Sequence, residues 1–118
     1  MLEHMLKDID EIYIAYGYTD FRKQTYSLAN LVTSKYKAEL YKSAAFIFCN
    51  KHRTAIKVLC YDKNGFVLAQ KTLLNADKMK FQWPRNEDEL KIITYNQLKW
   101  LLTGLTMYPK KQFNEYKI

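Results

Sequence analysis

The stretch TAIKVLCYDKNGFVLAQKTLL, residues Thr54 to Leu74, decides the fold. Two runs rich in β-branched, aromatic and other apolar residues flank Asn64-Gly65. Both central positions tolerate positive φ, so the pattern predicts a β-hairpin. The register depends on the turn. Closure through Asn64-Gly65 alone sets Lys71 opposite Val58. A three-residue loop with a bulge at Gly65 sets Lys71 directly opposite Lys57. Like charges in that position destabilise a sheet, and an acidic ligand between them would relieve the repulsion. The same lysines are also ordinary on the solvated face of antiparallel strands.

Working outward, Ala44 to Asn50 (AAFIFCN) reads as a strand and Lys51 to Thr54 (KHRT) as a turn. Ile12 to Tyr16 is a short strand-like run ending at Gly17. Lys80 to Pro84 (KFQWP) reads as a further short strand, stopped by a proline that cannot donate to a ladder. Trp83 is a packing anchor in this reading, and Phe46 and Phe48 are core candidates.

Two segments have helical spacing. Thr19 or Asp20 caps a first helix through about Tyr36, with Phe21, Thr25, Leu28 and Val32 on one face and Leu31 beside them. Residues 93–105, ITYNQLKWLLTGL, form a second. There Thr94 and Gln97 match a capping box, and Ile93 and Leu98 match a hydrophobic staple. Leu98, Leu101, Leu102 and Leu105 make its buried stripe, and Gly104 marks its end. The order strand, helix, three or four strands, helix predicts an α+β fold. Its expected form is an antiparallel sheet of four to five strands with a central hairpin, packed against two amphipathic helices. The chain of 118 residues fits one domain at residues 12–108, between an N-terminal extension (1–11) and a polar tail (109–118).

The net charge of +7 is unevenly spread. Residues 1–20 hold Lys7 against Glu3, Asp8, Asp10, Glu11 and Asp20. Residues 21–60 hold Arg22, Lys23, Lys35, Lys37, Lys42, Lys51, Arg53 and Lys57 against Glu39. A basic excess clustered in this way suits an anionic partner, of which nucleic acid is the commonest. It also suits a merely soluble surface.

Two clusters sharpen the choice. In GYTDFRK, Gly17 to Lys23, Arg22 and Lys23 fall in the expected first turn of a helix. A cation there costs about 0.3–1 kcal/mol against the helix dipole. An anion bound at the helix N-terminus would explain the placement, although Asp20 would repel it. A capped helix with two solvated cations is the plainer alternative. The second cluster is Lys51, His52 and Arg53 in the turn, joined by Lys57 and Lys71 from the hairpin. Tyr13, Tyr16, Tyr18, Tyr26, Tyr61, Phe81 and Trp83 are of a type that stacks on bases, though core packing accounts for most of them.

Other chemistries find little support. A zinc site needs clustered Cys and His, whereas His4, Cys49, His52 and Cys60 are scattered. No glycine-rich phosphate loop is present. Two-metal strand transfer needs converging carboxylates, whereas Asp20 and Asp62 are isolated and Glu87-Asp88-Glu89 reads as a solvated run. No metal, cofactor or catalytic residue is expected. Cys49 and Cys60 sit in apolar strands as small hydrophobes, which suits a reducing, cytoplasmic setting. No secretory leader or membrane span is expected.

The succession IYIAYGYTDFRK, FIFCNKHRTAIKVLCYDKNGFVLAQKTL, FQWP and ITYNQLKWLLTGL resembles a known family over about residues 12–108. The family it resembles is that of the small accessory proteins of IS66-type transposable elements, often called TnpB or the second open reading frame. The most specific parts are Gly17-x-Thr19-Asp20-x-Arg22-Lys23, Lys57-Val58-Leu59-x-x-Asp62-x-x-Gly65, Lys71 and Phe81-x-Trp83-Pro84. The chain has Asn50-Lys51-His52-Arg53-Thr54 where family members tend to have an arginine- and glycine-rich turn. It has Lys71-Thr72 where they tend to have Lys-Arg.

The resemblance implies a role in DNA transposition beside a separate transposase, with no known enzymatic activity. Joined to the charge pattern, it leads to the expectation of a non-catalytic DNA-binding accessory protein. Arg22, Lys23, Lys51, Arg53, Lys57 and Lys71 would contact phosphates. The alternative is a protein adaptor that binds the transposase without touching DNA.

Overall fold

The computed structural model describes residues 1–75, 77–85 and 89–103. Five strands form one sheet: β1 (Glu11–Ala15), β2 (Ala44–Cys49), β3 (Ala55–Asp62), β4 (Gly65–Thr72) and β5 (Leu90–Ile93), in the order β4-β3-β2-β1-β5. With the helices α1 (Leu2–Met5), α2 (Thr25–Asn30) and α3 (Tyr95–Thr103), this is the expected α+β fold. The sheet is mostly antiparallel, but β1 and β2 run parallel. That pairing needs a long crossover. Residues 16–43 supply it, carrying α2 and the π-helical turn Leu31–Lys35 that continues it.

The hairpin is confirmed, in neither expected register. Asp62 pairs with Gly65, so the turn is Lys63-Asn64, with Lys63 in the left-handed region at φ 55°. The reason lies in the strands. This register sets Val58 opposite Ala69, Leu59 opposite Leu68, Cys60 opposite Val67 and Tyr61 opposite Phe66. A shift by one residue would put Gln70 against Val58 and move each apolar side chain to the wrong face. Gly65 opens β4 with open space where a Cβ would stand.

Each face of the sheet carries its own core. On one face Ile12, Ile14, Ala45, Ile47, Ile56 and Val58 pack with Phe81, Trp83 and the α3 leucines Leu98, Leu101 and Leu102. Leu2 and Leu6 join them, so the segment read as an extension helps to close this face. Phe46, Phe48 and Leu59 pack on the other face against Leu28, Ala29 and Val32. Tyr13 stacks flat on Phe46 there, with centroids 5.3 Å apart, a contact that adds about 0.5–1.5 kcal/mol to simple burial.

The second helix begins as expected. Gln97 N–H donates to Thr94 Oγ1, and Thr94 N–H donates to Gln97 Oε1. Between the charged connection and this box the chain forms β5, which the sequence reading missed. KFQWP is irregular rather than a strand, but its core is buried, and Trp83 Nε1 donates to the Ala15 carbonyl at 2.8 Å. Gly104 and Leu105, Glu87 and Asp88, and the tail lie outside the described residues.

The first helix starts later than expected, at Thr25, with Gln24 before it. Thr19 and Asp20 are not its caps. Thr19 N–H donates to the Cys49 carbonyl, and Asp20 turns its carboxylate onto Arg22. Arg22 and Lys23 therefore lie in a loop, and the electrostatic puzzle of cations in a first helical turn disappears.

Candidate nucleic-acid interface

Because β1 and β2 are parallel, the loops that follow them emerge at the same end of the sheet. The starts of β3 and β5 and the end of β4 lie there too. This end gathers Arg22, Lys23, Lys51, Arg53, Lys57 and Lys71, together with Arg85, which sequence reasoning did not single out. They do not share one role.

Lys51, Arg53 and Arg85 form the centre. Asn50 builds their loop: its Oδ1 accepts the N–H groups of Thr54 and Ala55, and its Nδ2 donates to Thr54 Oγ1. Arg53 takes a left-handed conformation at φ 60°. Two bonds tie this loop to the segment around Trp83. Phe81 N–H donates to the Arg53 carbonyl at 2.8 Å, and Arg85 Nη1 donates to the Lys51 carbonyl at 3.1 Å. The Lys51 ammonium and the Arg85 guanidinium each lie 5.9 Å from the centre of the Tyr18 ring. Arg85 and Arg53 also bear on the Cys49 thiol. Their charges favour its thiolate, yet burial pushes it up to about 12. Among the described residues, no carboxylate pairs with Lys51, Arg53 or Arg85.

Arg85 was hidden in sequence because it opens a charged connection. Its signal is structural: Gly17, at φ 82°, donates its N–H to the Pro84 carbonyl at 2.9 Å. That bond brings the residue after Pro84 beside the residue after Gly17.

Lys57 has a different task. It is 2% exposed, on the face covered by α2, and its ammonium donates to the carbonyls of Phe21 (3.0 Å) and Lys23 (2.7 Å). It also lies 4.9 Å from the centre of the Phe21 ring. Burial lowers its pKa, and Asp20 nearby acts in the opposite direction. Lys57 thus fastens the Phe21–Lys23 loop to the sheet through carbonyl oxygens, the reverse of the polarity an anion site requires. Lys71 pairs with Ile56 and so points to the opposite face from Lys57; the two lysines do not form a stripe.

Arg22 is exposed but engaged. Its Nε and Nη2 donate to the Asp20 carboxylate, at 2.6 Å for the shortest contact, and its backbone N–H adds a further bond. These contacts hold the Asp20 carboxyl at about 2. Lys23 is half-buried, and its charge also helps to hold down the Asp20 carboxyl.

The motifs that carry this geometry have relatives. The family described as IS66 Orf2 like protein matches residues 10–112. The chain belongs to the IS66 Orf2-like family. Its members are accessory proteins of transposition. A protein of Sinorhizobium fredii called "Uncharacterized protein y4hO" is 31% identical to this IS66 Orf2-like protein over 108 residues, 91% of each chain. No solved structure matches it. The family match starts just before β1, so α1 and the buried Leu2 and Leu6 lie outside it. Among the described residues no cluster of His, Cys, Asp and Glu is arranged to hold a metal, and no helix is long and apolar enough to cross a membrane.

Proposed function

We propose that this protein is a non-catalytic accessory factor of transposition that binds DNA through the end of the sheet where β1 and β2 finish. One observation carries the reading. Lys51, Arg53 and Arg85 sit in segments tied to one another by hydrogen bonds, Lys51 and Arg85 flank an exposed tyrosine, and among the described residues no carboxylate pairs with any of the three. In this reading the three cations contact phosphates, with Lys23 and Lys71 at the margins. Such contacts position a protein on DNA without reading its sequence. Lys57 supports the surface from beneath, and Arg22 joins it only where Asp20 lets go. The free, buried thiols of Cys49 and Cys60 suit work in the cytoplasm.

Salt titration tests it. Each phosphate contact on duplex DNA steepens the log–log dependence of affinity on salt by about 0.9. Replacing Lys51, Arg53 and Arg85 together by alanine is expected to flatten the slope by about 2–3. A triple variant with the parent's slope overturns the assignment.

A second reading rests on a different surface. Tyr26 and Tyr41 are 81% and 65% exposed, and their rings meet Phe66 on β4; Tyr41 also meets Tyr61 edge to face. Exposed aromatics of this kind are enriched at protein interfaces, which supports an adaptor that holds the transposase. Co-purification with the transposase, with no DNA binding by the isolated protein, would favour that reading.

A further inference from the structure

We infer that Tyr18 is a base-stacking platform and that the interface takes DNA with unpaired bases rather than closed duplex. The inference rests on the DNA-binding reading above and adds strand preference to it.

The structure sorts the aromatic residues. Phe81 and Trp83 are buried, Tyr13 lies flat on Phe46, and Tyr16 packs half-buried against the core. Tyr26 and Tyr61 meet each other's neighbours in the ring cluster around Phe66. Tyr18 is 54% exposed and stands among cations.

Its backbone is fixed on both sides. Gly17 N–H donates to the Pro84 carbonyl, and Thr19 N–H, in a buried residue, donates to the Cys49 carbonyl at 2.8 Å. An aromatic side chain with two torsions on a fixed backbone loses little entropy on binding. Both cations lie near the roughly 6 Å limit of a cation–π contact, so each holds the ring weakly. A flat, neutral partner can displace one of them and leave it to meet the adjoining phosphate.

That pairing of chemistries matches a nucleotide whose base is free. In a closed duplex the base faces are stacked on one another, and Tyr18 would meet only sugar and phosphate. A positively charged track with an aromatic ring on it is the usual design of single-strand binders. Packing of the Tyr18 ring against the stems of Lys51 and Arg85 would produce the same contacts in the free protein, so the test must separate the two roles.

The probe is an oligothymidine of about 16 nucleotides, the upper end of common site sizes, compared with a mixed-sequence duplex of the same length. The parent is expected to prefer the single strand. Tyr18→Ala is expected to weaken single-strand binding by about 5- to 150-fold, with a smaller loss on the duplex and both salt slopes unchanged. Tyr18→Phe is expected to retain single-strand binding. A 2-aminopurine placed in the strand should be quenched by the parent and by Tyr18→Phe, but not by Tyr18→Ala. Equal loss on both probes, or parent-like quenching by Tyr18→Ala, overturns the inference while leaving the DNA-binding reading in place. Failure of the parent to bind either probe overturns that reading and this one with it.

Discussion

The two ends of the sheet treat lysine differently. At the end where β1 and β2 begin, Lys42 lies 2.6 Å from Glu11, shares a hydrogen bond with the Tyr13 hydroxyl and stands over the Tyr13 ring. The pair is mutually reinforcing: the bond to Lys42 lowers the Glu11 carboxyl, and Glu11 raises the Lys42 ammonium. At the other end Lys51 and Arg85 have a ring and a carbonyl as neighbours, and among the described residues no acid. Lys57, a few residues away in β3, is buried and spent on carbonyl groups. A net charge of +7 therefore says little about where an anion would bind. The partner of each cation decides that.

The largest effect is expected where the comparison is internal to one end. Lys57→Met keeps the unbranched apolar stem, one atom shorter, and removes its donor. The carbonyls of Phe21 and Lys23 lose a charged partner, a loss on the order of 2–3 kcal/mol, since hydrogen bonds to charged groups are the stronger kind. Urea unfolding measures it. A variant as stable as the parent would mean that the cost of burying the ammonium cancels its bonds, and Lys57 would need another explanation.

The same contrast shows what the sequence could reveal. The β3–β4 hairpin was legible because alternating apolar residues and turn chemistry are local signals. The capping box at Thr94 and Gln97 was legible for the same reason. The register was not. Asn64-Gly65 is a good turn, but the pairing of Leu59 with Leu68 and Val58 with Ala69 outweighed it. Asp20 looked like a helix cap because an Asp side chain that accepts a nearby N–H has the same local signature in a turn. The parallel pairing of β1 and β2, and with it the gathering of the cations at one end, is set by contacts across the whole chain. Arg85 illustrates the consequence: nothing near it in sequence points to Tyr18, and long-range bonds such as Gly17 to Pro84 and Trp83 to Ala15 bring them together.

A moderate effect is expected at Asp20, which joins the two kinds of behaviour. Its carboxyl is held at about 2, below an ordinary value of 3.8, chiefly by Arg22. A carboxylate with a lowered folded value contributes stability that is present above its unfolded value and lost as pH falls through the folded one. The contribution should therefore fade between about 3.8 and about 2, and Asp20→Asn should remove this part of the acid-side slope of stability. The same change releases Arg22. If Arg22 then reaches a phosphate, the salt slope steepens by about 0.9, and affinity rises at low salt. An unchanged slope would place Arg22 off the DNA path altogether.

The smallest expected effect is the most searching for the comparison itself. Lys42→Ala removes one positive charge, as Lys51→Ala does. If the protein attracts DNA only through its overall charge, the two variants should weaken binding alike, because long-range attraction responds to net charge. If binding depends on cations without acid partners, Lys42→Ala should leave both affinity and salt slope at parental values. Its ammonium already answers Glu11, and its removal also frees that carboxylate far from the proposed path. Anisotropy at several salt concentrations distinguishes the cases. Equal losses for the two variants would dissolve the distinction between the ends of the sheet. A silent Lys42→Ala beside a flattened slope for Lys51→Ala would tie DNA binding to the end where β1 and β2 finish.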